Sequence, residues 1–232
     1  MTKTEFNIGN IPAVLWGGRE DRLFIAVHGD QSNKEDAVIE LFAREAEAKG
    51  ARTLSFDLPE HGGRKGDPTK CNPQNCRAEL KRVIDYACGI SRDVSLFAVS
   101  IGAYFSLLAY EDEEIERALF LSPIVNMEFV IANMMNWFGV SEERLMAERE
   151  ITTPAKVLYW DYYSYVKAHP VSKWNTKTAI LYGENDNLTA LDEINDFSNR
   201  FDCSLTVMEN GEHFFHTEEQ IGLFKCWLED NF

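Results

Sequence analysis

Short apolar runs alternate along the chain with stretches where apolar residues recur every three or four positions. Leu23–Val27, Arg52–Leu58, Val94–Val99, Ala118–Leu121, Thr178–Tyr182 and Ser204–Met208 are too short and too apolar for surface helices, and they predict buried strands. Between the first two runs, Val38, Leu41, Phe42 and Ala46 mark one helical face closed by Gly50, with Ser32 and Glu35 spaced as a capping box. Further helices are predicted over 76–88, from Ala103 to Tyr110, and from about Glu218 to Leu228. Residues 5–16 read as an antiparallel edge hairpin. Strands alternating with helices predict an α/β chain with a mostly parallel sheet, covered on both faces.

One segment breaks the alternation. About residues 124–177 separate two buried strands, and they are rich in Met and aromatics, among them Met134, Met135, Trp137, Tyr162, Tyr163 and Trp174. That length exceeds an ordinary connection, and its apolar content exceeds that of a linker. A helical lid insertion is expected. Its aromatics either pack a small core of their own or line an apolar substrate pocket, and both roles are compatible.

Composition narrows the function classes. With 232 residues and 45% hydrophobic content, the chain can bury one sizeable core, so residues 1–232 are expected to form a single domain. A formal net charge of −15 argues against nucleic acid and anionic membrane as partners, since both need clustered Lys and Arg. The five cysteines are scattered; Cys71 and Cys76 are separated by four intervening residues with no His or second pair to complete a zinc site, so free thiols and no metal are expected. No targeting signature opens the chain and no apolar run reaches membrane-spanning length, so a cytoplasmic protein is expected.

The chemistry centres on Ala98-Val99-Ser100-Ile101-Gly102. A serine between small residues, set between a strand and a helix, is the pattern of a nucleophile elbow: a turn so tight that larger side chains would collide with backbone. A serine nucleophile needs a base, and the base needs an acid to orient it. Asp186 follows the strand at Thr178–Tyr182, on the sheet edge where such groups collect; Glu184 is its rival, better suited to a turn. After the last strand come His213 and His216. His213 lies within the loop, whereas His216 abuts Thr217, a good N-cap, so His213 is the favoured base.

The order Ser100, Asp186, His213 resembles that of the α/β-hydrolase superfamily, in particular its small, lidded serine esterases and acyl hydrolases. His28-Gly29 resembles the family's oxyanion-hole signature. Asp57-Leu58-Pro59-Glu60-His61-Gly62 resembles a second motif, usually Asp-x-Pro-Gly-x-Gly, from which Glu60 departs. The resemblance implies structural roles for Asp57 and His61, with His28 and Gly29 shaping the turn. It implies an α/β-hydrolase fold, no cofactor, and an oxyanion hole formed by the backbone N–H groups of Ile101 and Asp30. An acidic side chain is awkward there, so either the Asp30 carboxylate turns away, towards the helix start at Ser32, or Gln31 is the nearer donor. The implied activity is hydrolysis of a carboxylic ester of a small or medium acyl group through an acyl-enzyme. A thioesterase shares the triad, with no clear basic patch for a nucleotide. An inactive small-molecule-binding module is disfavoured, because it has no chemical reason to keep Ser, acid and His together.

Overall fold

The computed structural model describes all 232 residues, Met1–Phe232. In chain order the elements are β1 (Lys3–Ile8), β2 (Ile11–Trp16), β3 (Arg22–Val27), α1 (Ala37–Ala48), β4 (Ala51–Phe56), α2 (Pro73–Ile90), β5 (Asp93–Val99), α3 (Ile101–Ala109), β6 (Ala118–Leu121), α4 (Met127–Trp137), α5 (Glu142–Glu148), β7 (Glu150–Thr152), β8 (Val157–Tyr159), α6 (Trp160–Ala168), β9 (Thr178–Gly183), α7 (Leu191–Phe201), β10 (Ser204–Met208) and α8 (Glu218–Asn231). Eight strands form one sheet in the order β1-β2-β4-β3-β5-β6-β9-β10. The β1–β2 hairpin and the β2–β4 pair are antiparallel, and every later pairing is parallel.

The central strands β3, β5 and β6 are mostly apolar and buried on both faces because each face meets a helix layer. Leu96 and Ala98 of β5 turn towards the core shared with α2 and α3, while Phe97 between them packs with Phe42 of α1 and Phe224 of α8. The period of two thus splits one strand between two cores.

Two details differ from the sequence pattern. Ser32 and Glu35 do not cap α1: its N-cap is Asp36, whose carboxylate accepts the Val38 N–H at 3.0 Å. Residues 33–35 are instead held against the end of β4, where the Lys34 N–H donates to Asp57 and the Ser55 hydroxyl to the Lys34 carbonyl. The segment between β6 and β9 is not purely helical, since β7 and β8 form a small antiparallel hairpin within it. Its buried residues, including Met127, Val130, Met135, Tyr163 and Trp174, join the main core beside α2 and α3 rather than a separate one, while Trp137 and Tyr159 are exposed. No helix is long and apolar enough to cross a membrane.

Candidate active site

Strand β5 ends at Val99, and Ser100 turns the chain into α3 with φ 51° and ψ −120°, a conformation that costs a non-glycine residue on the order of 1–3 kcal/mol. Neighbouring backbone holds it there. The Ser100 N–H donates to the Leu121 carbonyl, and the Ser100 carbonyl accepts from Ala103 and Ile124, each at 3.1 Å. A Cβ at Gly102 would stand 2.6 Å from the carbonyl oxygens of Val27 and His28, so only glycine lets α3 start this close to β3.

The structure brings Ser100, His213 and Asp186 into one chain of hydrogen bonds. Ser100 Oγ lies 2.8 Å from His213 Nε2, and His213 Nδ1 lies 2.6 Å from Asp186 Oδ2. A carboxylate only accepts, so Nδ1 carries the proton and Nε2 is free to accept from the serine hydroxyl. The Asp186 carboxylate is fully buried, and its other oxygen accepts the N–H groups of Leu188 and Thr189 at 2.8 and 2.9 Å. The rival residues stand apart: Glu184 accepts the Asn210 N–H at 3.0 Å, and exposed His216 stacks on Phe214 beside Glu212.

Two backbone N–H groups near Ser100 have no protein acceptor. Ile101 opens α3, so no helical carbonyl lies four residues before it, and the Asp30 N–H is also unpaired. Gly29 packs against Ser100, since a Cβ there would meet Ser100 Cβ at 3.3 Å. His28 orients this loop. Its Nε2 accepts the Leu58 N–H at 3.1 Å, which leaves the proton on Nδ1 to donate to the Gly29 carbonyl at 2.7 Å. The carbonyl and N–H of a trans peptide point opposite ways, so holding the Gly29 oxygen also sets the direction of the Asp30 N–H. Complete burial keeps His28 neutral, down to about 4.

The Asp30 carboxylate turns to His61 and Lys156 and not towards Ser32. It meets His61 Nε2 at 3.3 Å and Lys156 Nζ at 2.8 Å. The contact with His61, reinforced by Lys156, holds Asp30 well below the usual carboxylate range. Burial opposes a charge on His61, but Asp30, Cys71 and the Pro59 carbonyl outweigh it and raise His61 to about 10. Asp57 is buried beneath this loop and accepts from the Lys34 backbone, the Lys34 ammonium and the Gly63 N–H. Lys156 escaped sequence reasoning because it lies in the β7–β8 turn, 126 residues from the carboxylate it meets. Beneath the insertion, a cavity of about 190 Å³ is bounded by Tyr104, Val125, Val166 and Phe197, and none of Ser100, Asp30, Asp186 or His213 lines it. The hydroxyls of Tyr104 and Tyr162 are buried without partners.

No protein-family model and no curated protein sequence matches the chain. Solved structures do. Est1E from Butyrivibrio proteoclasticus with ferulic acid bound is 19% identical, with a TM-score of 0.80 over 98% of this chain and 97% of that one. Mouse α/β hydrolase domain-containing protein 10 is 14% identical, with a TM-score of 0.78 over 100% and 98%. The Pyrococcus furiosus esterase Pf2001 is 17% identical, with a TM-score of 0.70 over 99% and 88%.

Proposed function

We propose that this chain, which has the α/β-hydrolase fold, is a serine hydrolase that cleaves carboxylic esters of small or medium acyl groups. The observation that carries the reading is the pair of contacts Ser100–His213 and His213–Asp186, 2.8 and 2.6 Å long. Ser100 Oγ attacks the acyl carbon as its proton passes to His213 Nε2. Asp186 keeps His213 in the competent tautomer and stabilises the imidazolium that forms. The carbonyl oxygen, now an oxyanion, is met by the N–H groups of Ile101 and Asp30. Collapse of the intermediate expels the alcohol, which takes the proton from His213. Water then repeats the sequence on the acyl-enzyme and frees the acid.

The ester reading is supported by the neighbours: Est1E is seen with a carboxylic acid of medium size, and Pf2001 is an esterase. The test is covalent labelling by a fluorophosphonate probe, together with hydrolysis of nitrophenyl esters. Ser100→Ala should abolish labelling and lower the hydrolysis rate by about 10⁴-fold or more. A purified Ser100→Ala protein that kept substantial ester hydrolysis would overturn the mechanism.

A further inference from the structure

A second group of reactive side chains lies beside the oxyanion loop and takes no part in that reaction. Cys71 Sγ lies 3.8 Å from Cys76 Sγ. Cys71 immediately precedes Asn72, the N-cap of α2, and its N–H donates to the Glu60 carboxylate at 2.8 Å. Cys76 is fully buried in the first turn of α2, where its own N–H donates to the Asn72 carbonyl. Asn72 and Pro73 therefore fix how the two thiols approach each other.

Their environments differ in sign. Cys71 shares a hydrogen bond with Cys76 and faces the charged His61 and Lys156, which hold its thiol below the ordinary range. Burial, and the neighbouring Cys71, push Cys76 up. The remaining thiols have no such partners: Cys88 and Cys226 are exposed, and burial raises Cys203 to about 11.

We propose that Cys71 and Cys76 form a peroxide-oxidisable dithiol, in which Cys71 reacts first and Cys76 closes a reversible disulfide beside the oxyanion loop. The Cys71 thiolate attacks one oxygen of hydrogen peroxide. The O–O bond breaks, giving a sulfenic acid and hydroxide, and the hydroxide takes the Cys76 proton to become water. The Cys76 sulfur then attacks the Cys71 sulfur, the S–O bond breaks, and the departing hydroxide is protonated to a second water. Each sulfur gives up one electron and the peroxide accepts both. The bond requires the 3.8 Å between the two sulfurs to close to about 2.05 Å.

The site lends itself to a direct test, because both cysteines fall within the single tryptic peptide Cys71–Arg77. Full-length protein is treated at pH 7 with one equivalent of hydrogen peroxide. That peptide should lose the mass of two hydrogen atoms and regain it with dithiothreitol, while Cys88, Cys203 and Cys226 stay reduced. In Cys76→Ser, dimedone should add to Cys71. Ser100→Ala protein should form the same bond, which separates this proposal from the hydrolase reading. Oxidation of Cys88 or Cys226 ahead of Cys71, or no dimedone adduct on Cys71 in Cys76→Ser, would overturn it.

Discussion

Gly183 and Glu212 touch at the level of backbone: a Cβ on Gly183 would lie 2.5 Å from the Glu212 carbonyl oxygen. The loop carrying Asp186 is thereby seated on the loop carrying His213, and the Asn185 N–H donating to the Gly211 carbonyl at 2.7 Å adds a second tie. Gly183→Ala should push the two loops apart. A displacement near 1 Å costs about 100-fold in catalysis, so kcat should fall by about that factor while the protein stays folded. Unchanged kcat in a folded variant would show that this contact does not set the Asp186–His213 distance.

The two histidines after β10 should separate cleanly. His213→Ala removes the group 2.8 Å from Ser100 Oγ, and its loss of activity should approach that of Ser100→Ala. His216→Ala removes an exposed ring and should leave most of the activity. Initial rates on one nitrophenyl ester decide the matter, and the reverse pattern would reassign the base.

His28 should make stability depend on pH with a known sign. Its folded value, about 4, lies below its unfolded value, near 6.5. The contribution is therefore present above about pH 6.5, falls away between 6.5 and 4 as the unfolded chain takes up the proton, and is on the order of 3 kcal/mol. Urea unfolding at pH 7 and at pH 4.5 measures it. His28→Asn should be less stable at pH 7 but should lose less on acidification; an unaltered pH dependence would assign the effect to other groups.

Arg64 and Glu79 form a buried pair that pins the loop after β4 to α2, with Arg64 Nη2 2.9 Å from Glu79 Oε1. Arg64→Met strands the Glu79 carboxylate and should cost about 3–5 kcal/mol, lowering Tm by on the order of 10 °C. Arg64→Met combined with Glu79→Leu should recover much of that loss in a thermal melt, because no fully buried carboxylate is left unpaired; Asp67, which Arg64 Nε also meets at 3.1 Å, stays partly exposed to water. If the double variant were no better than the single one, packing of the guanidinium rather than charge pairing would be its main contribution.

Acyl-chain preference tests whether the insertion shapes the acyl site. Its core-facing Met and aromatic residues pack beside α3, which begins one residue after Ser100. Each methylene moved into an apolar pocket contributes about 0.8 kcal/mol, or about fourfold in kcat/KM. Across nitrophenyl esters of about two to about twelve acyl carbons, kcat/KM should rise over the first few and then fall once the chain overfills the space. A flat profile would mean that the insertion packs only against its own protein.

What the sequence determined by itself is local. The apolar runs of the central strands, the period of two in β5 and the sterics of a serine before Gly102 are each written within a few residues, so the α/β alternation and the elbow were legible. The chain order of Ser100, Asp186 and His213 was legible too, because sheet topology carries strand ends to one edge. Tertiary structure decided the rest. Asp36 took the N-cap of α1 from Ser32 because Asp57, far along the chain, drew Lys34 away. The Asp30 carboxylate turned to His61 and Lys156, a contact spanning 126 residues for the lysine. The buried aromatics between β6 and β9, Tyr163 and Trp174, joined the main core. The physical reason is common to all three: a residue's neighbours in the chain set its backbone preferences, but which distant charge or apolar face it meets is decided only when the whole chain packs.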